Sequence, residues 1–173
     1  MTRPQDKRSP RRLTALALLT AIALTIFMVE SQLPAPVPVP GVKLGLANIV
    51  TVYTMFVLGP ADTLMVLLTR IFLGSVFSGQ LMSFFYSLAG GLLCYAAMLG
   101  LRKILSPGQI WVCGVVGGAC HNIGQLIAAI LITGTPSLIV YLLWLLPAGM
   151  AAGLFTGLCT QFLISRLNDS PRS

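Results

Sequence analysis

Six apolar runs, separated by short polar or Gly/Pro punctuation, leave this chain few folds to choose from. They are Leu13 to Val29, Leu44 to Leu58, Leu64 to Phe77, Leu81 to Leu101, Ile110 to Thr133 and Leu138 to Ile164. Only 9% of the 173 residues are charged, against about a quarter in a soluble domain. Such a chain cannot cover its own surface in water. The expected fold class is an all-α integral membrane protein, a compact bundle of six transmembrane helices with both termini cytoplasmic. Residues 1–12 read as a basic cytoplasmic tail, 13–166 as the membrane domain and 167–173 as a second cytoplasmic tail. The second and third runs are short for a bilayer core that needs about 20 helical residues, so tilt or burial in the bundle is expected there. Gly59-Pro60, Ser78-Gly79 and Gly134-Thr135-Pro136 mark breaks, and Pro147 is a candidate kink.

The net charge of +7 is a topology signal. Arg3, Lys7, Arg8, Arg11 and Arg12 precede the first run, Arg102 and Lys103 separate the fourth from the fifth, and Arg166 and Arg172 follow the last. With six spans these nine residues share one face, and basic residues favour the cytoplasm. A multi-pass protein of the cell membrane is expected, with the loop after the first run outside. A basic start before a short apolar stretch also describes a signal peptide; the first run is read here as a retained span. The basic residues form no aromatic-interleaved stripe, so nucleic acid is not an expected partner. The two halves show no repeat that would suggest an inverted-repeat carrier. Cys94, Cys113, Cys120 and Cys159 all lie within apolar runs, and one histidine completes no common zinc set. No metal site is expected, and the thiols read as small hydrophobes.

Polar residues inside the apolar runs need individual reasons. Four prolines from Pro34 to Pro40 stiffen the loop that delivers Gly41 and Lys43, and Asn48 and Thr51 follow on one helix face. Lys43 reads either as an interfacial snorkelling lysine or as a ligand contact. Arg70 stands near the middle of its run, where an arginine costs on the order of 2.5 to 3.5 kcal/mol. Its partner is either Glu30 or backbone carbonyls, or an anionic ligand; Asp62 is about 12 Å away along the same helix. His121, Asn122 and Gln125 form the densest polar group in the runs. Their spacing suggests one polar facet, which serves as interhelical glue or as a hydrogen-bonding wall for a ligand head. No Ser, Cys or carboxylate is spaced to make His121 a catalytic base. Ala17 and Ala21, Ser83, Ser87 and Gly91, and Gly149, Gly153 and Gly157 make small-residue strips that let helices approach closely.

The stretches Pro40 to Thr51, Arg70-Ile-Phe-Leu-Gly74 and His121-Asn-Ile-Gly-Gln-Leu126 resemble the Gx transporter family, also labelled heptaprenyl diphosphate synthase component I. That family is similar to the substrate-binding membrane subunits (S components) of energy-coupling factor transporters. The resemblance implies six helices, internal termini and an outward-facing site capped by outer loops. It also implies an Ala-x-x-x-Ala contact with a coupling subunit, a pattern that Ala17 and Ala21 match. The enzyme half of the label is not matched, because Asp6, Asp62 and Asp169 are far apart and make no Asp-rich magnesium motif.

The resulting expectation is a binding subunit that captures a small anionic or isoprenoid/quinone-related ligand from outside. Lys43 and Arg70 would hold charge, with Asn48, Thr51, His121, Asn122 and Gln125 as directional partners. The chain has no Gly-x-x-x-x-Gly-Lys-Ser/Thr loop, so no cofactor is expected and ATP would act only through partner subunits. A second reading is a non-catalytic membrane anchor of a polyprenyl diphosphate synthase, using Arg102 and Lys103. A third, an intramembrane enzyme, would need His121 for turnover.

Overall fold

The computed structural model describes residues 10–33 and 43–169. The stiff loop expected over the site, 34–42, lies outside the described residues, as do 1–9 and 170–173. The described chain is helical: α1 Pro10–Glu30, α2 Asn48–Val57, α3 Pro60–Ser78, α4 Leu81–Leu101, α5 Ile110–Thr133 and α6 Leu142–Asp169. Short 3-10 turns at Pro107–Gln109 and Pro136–Tyr141 lead into α5 and α6. Five helical segments are long and apolar enough to cross a membrane, and α2 alone is short. These features make it an all-α, multi-pass membrane protein.

Local chemistry sets the boundaries. Gly59 adopts φ 105°, open only to glycine, and Pro60 at the first helical position starts α3. α1 begins at Pro10, so Arg11 and Arg12 of the expected tail are helical. Arg12 forks onto Asp62 through Nε (3.0 Å to Oδ2) and Nη2, the one ion pair among the described residues. That pair joins the first turns of α1 and α3. Phe27, near the end of α1, packs where a Cβ on Gly74 would sit. The two helices therefore run parallel, and the 43–57 segment between them must return across the bundle.

Its first part is not helical. Gly45 takes φ 86°, and a Cβ there would stand 2.8 Å from both Asn48 Nδ2 and His121 Cδ2. Residues 43–47 thus reach the level of the middle of α5, and only then does α2 begin. Ten helical residues cover about 15 Å, and five non-helical residues supply at most about 17 Å, so the segment crosses without a full-length helix.

The rest is close helix packing. In α5 and α6, Gly114 and Gly118 face Gly149, Gly153 and Gly157 so tightly that backbone meets backbone. Gly90 and Gly124 do the same for α4 and α5. Val52 and Met55 of α2 pack with Cys94, Met98, Ile110 and Cys113 in one apolar core.

Candidate functional site

The candidate site, a buried polar cluster (the chamber), is built where residues 43–48 meet α1, α3 and α5. Glu30, at the end of α1, is 5% exposed. Its carboxylate accepts the Gly45 N–H at 2.5 Å and the Leu46 N–H at 3.0 Å. A negative group on free amides at the start of a helix is favourable for the macrodipole. Glu30 thereby fastens the lead-in of α2 to α1.

Gln125 fastens the same lead-in to α5. Its Oε1 accepts the Lys43 N–H at 3.0 Å, so its amide nitrogen donates to His121 Nε2 at 2.6 Å. His121 must then be the neutral tautomer with its proton on Nδ1. That nitrogen faces the Gly90 backbone without meeting hydrogen-bond geometry.

Two buried cations complete the chamber. Lys43 lays Nζ over the Phe27 ring, 3.4 Å from its centroid, a cation–π contact. Arg70 comes from α3 and is 3% exposed. Glu30 lies within Coulombic reach of both cations, yet among the described residues no ion pair forms between them. The alternative in which Arg70 pairs directly with Glu30 is therefore corrected: Glu30 spends both oxygens on backbone amides, and Asp62 is held by Arg12. Lys43 Nζ, both amide atoms of Asn48, Arg70 Nε and Nη2, and His121 Nδ1 are buried without a hydrogen-bond partner among the described residues. A few such groups are tolerated in a native protein, and a concentration of them calls for an explanation.

The residues singled out from the sequence fall into three places. Lys43, Asn48, His121 and Gln125 gather around Gly45, with Arg70 acting on Glu30, Lys43 and His121 electrostatically. Thr51 is buried one turn below Asn48 on α2. Asn122 departs from the expected polar facet. Its Nδ2 donates to the Leu145 carbonyl of α6 at 2.6 Å, against Gly149, because one residue of helix turns it about 100° from His121. It clasps two helices. Ala17 and Ala21 are far from the chamber, exposed on α1, and line a groove of about 380 Å³ with Met65, Thr69 and Leu73 of α3.

Sequence reasoning missed the work of Phe27, Glu30 and Gly45. Glu30 was visible as a lone acid closing an apolar run. Nothing in the spacing placed it against residues 15 and 16 positions later.

A family model described as heptaprenyl diphosphate synthase component I matches residues 19–163. No curated protein and no solved structure matches the chain. The family match spans the whole chamber and all of α2 to α5, and the chain belongs to the heptaprenyl diphosphate synthase component I family.

Proposed function

We propose that the protein is the substrate-binding membrane subunit of an uptake transporter, resembling an S component, and that it captures a small anionic ligand. The observation that carries this reading is the pair of buried cations whose Nζ, Nε and Nη2 atoms find no hydrogen-bond partner among the described residues. Ionisable groups inside a membrane protein are costly and serve substrate or ion sites by default. In this reading Lys43 and Arg70 hold the charge, Asn48, His121 and Thr51 give direction, and Gln125 orients His121. Asn122 serves packing. The ligand enters from the outer face with both termini in the cytoplasm, and the protein sits in the cell membrane. The family's name makes an isoprenoid- or quinone-related ligand the natural class. ATP acts only through partner ATPase subunits, with the Ala17/Ala21 groove as the docking face for a coupling membrane subunit.

The protein itself is not an enzyme in this reading. Of the aspartates a prenyl synthase would need for magnesium, Asp62 is committed to Arg12, and His121 has Nε2 engaged by Gln125. The family description favours one second reading, a non-catalytic membrane subunit that associates with a partner synthase component.

Native mass spectrometry of the purified protein separates the two. A binding subunit releases a bound small molecule from the wild type, and Arg70→Ala or Lys43→Ala loses it while retaining helical circular dichroism. If the wild type carries nothing, and only Arg102 and Lys103 substitutions change recovery of a soluble synthase, the anchor reading replaces this one.

A further inference from the structure

Three contacts hold Lys43 and the residues after it, and one of them touches its charge. The Lys43 backbone N–H donates to Gln125 Oε1, and Glu30 takes the N–H groups of Gly45 and Leu46. The ammonium makes no hydrogen bond among the described residues. It rests on the Phe27 ring of α1, 3.4 Å from the centroid, while Arg70 repels it from nearby. A buried ammonium beside a second cation should retreat along its flexible stem unless something attracts it. The negative face of an aromatic ring supplies that attraction, and more strongly where water is excluded.

The ring has a seat of its own. A Cβ on Gly74 of α3 would stand 2.6 Å from Phe27 Cε1 and 2.8 Å from Cδ1, so one edge of the ring fills the notch that this glycine leaves. Phe27 is 3% exposed. Glu30 follows Phe27 by one turn of α1, and Arg70 precedes Gly74 by one turn of α3, so each pair shares a helix flank. The notch thus fixes the ring, and the ammonium on it, at the flank that carries Arg70. A ring covers one side of an ammonium and leaves its other donors free. Resting on the anion-capture reading above, we infer that Phe27 is a positioning residue of the ligand site. Its ring, seated against Gly74, holds the Lys43 ammonium beside Arg70 so that both cations meet one anion. The device serves a carboxylate and a phosphate alike.

The test uses the full-length protein in lipid nanodiscs at neutral pH, and its first readout needs no ligand. The lysines are Lys7, Lys43 and Lys103, so isotope-labelled lysine gives three sets of NMR signals, assigned with Lys7→Arg and Lys103→Arg. The ring current of Phe27 should move the Lys43 ε-methylene signal upfield. Phe27→Leu should abolish that shift, and Gly74→Ala, which pushes on the ring alone, should change it. The second readout is affinity for decanoate and decyl phosphate, probes that share a tail and differ in head. Phe27→Leu should weaken whichever probe binds by about tenfold, the size of one desolvated cation–π contact. Trifluorophenylalanine at position 27 keeps the shape of the ring and drains its negative face, so it should weaken binding several-fold with the melting temperature unchanged. If Phe27→Leu or Gly74→Ala does not fold, the wild-type shift and the fluorinated variant decide. Absence of the upfield shift in the wild type, a Lys43 signal unmoved in folded Gly74→Ala, or undiminished binding by the fluorinated variant overturns the role of Phe27 and leaves anion capture standing. Failure of the folded wild type to bind either probe at millimolar concentration overturns anion capture itself, and the role of Phe27 with it.

Discussion

At the scale of the residue, Gly45 is the position where geometry leaves least freedom. Its φ of 86° belongs to glycine, and a Cβ would press on Asn48 and His121 at once. Gly79 is the natural control, because it has φ 65° but nothing within 4 Å of its Cβ position. Gly79→Ala should cost only left-handed strain, about 1 to 2 kcal/mol. Gly45→Ala should cost that and a crowding penalty of about 1 to 3 kcal/mol more. Thermal unfolding in detergent reads the difference, and ligand loss in Gly45→Ala but not Gly79→Ala marks the chamber. Equal melting temperatures would mean that residues 43–47 do not pack as described. Several chamber residues were legible at this scale because of expense: Lys43, Arg70 and His121 stand in or beside apolar runs where charge and amides are costly. Asn122 was misgrouped for a physical reason. Helical spacing tells which residues share a flank, but not which neighbouring helix fills it, and here α6 offers the Leu145 carbonyl.

At the scale of the element, α2 and its lead-in depend on Glu30 more than on their own propensity. The Glu30 carboxylate satisfies two amides that would otherwise be buried and unpaired, each costing about 1 to 3 kcal/mol. Glu30→Ala should lower stability by about 2 to 6 kcal/mol, and hydrogen exchange should quicken first at Gly45, Leu46 and the first turn of α2. Uniform quickening along the whole chain would instead assign Glu30 a general packing role. The α5/α6 contact rests on absent side chains. A Cβ on Gly153 would meet the Gly114 carbonyl and the Val115 Cα, so Gly153→Val must push the helices apart. A loss of about 3 kcal/mol or more is expected, beyond the usual range for overpacking because the obstacle is backbone, and the measure is recovery of folded protein from detergent extracts. The long helices were legible almost to the residue: α4 and α5 coincide with the runs Leu81 to Leu101 and Ile110 to Thr133. The second run was not. Hydropathy is continuous from Leu44 to Leu58, and only the backbone around Gly45 shows that its first four residues are not helical.

At the scale of the whole molecule, the packing fixes which ends lie together, and charge then orients them. The first turns of α1 and α3 are joined through Arg12 and Asp62, and the Arg102 guanidinium approaches Gly59 in the turn between α2 and α3. The Trp111 N–H donates to Gln161 Oε1, which brings the end of α6 and Arg166 to the start of α5. Arg11, Arg12, Arg102, Lys103 and Arg166 therefore gather at one end of the bundle. The other end holds the turns around Gly79 and Gly134, which carry no Lys or Arg. The lead-in with Lys43 descends from that second end, so the chamber's side of the membrane follows from where the basic end lies. By the positive-inside rule, we propose that the basic end faces the cytoplasm. Single cysteines test this directly at two exposed positions, Ser106 beside the basic end and Thr135 at the other. An impermeant maleimide applied to intact cells should label Thr135→Cys above the level of the unsubstituted chain and leave Ser106→Cys unlabelled until the cells are permeabilised. Labelling in the reverse order would turn the chamber towards the cytoplasm. Capture from outside would then fail even with every residue of the site in place, because the same cations would face the wrong compartment.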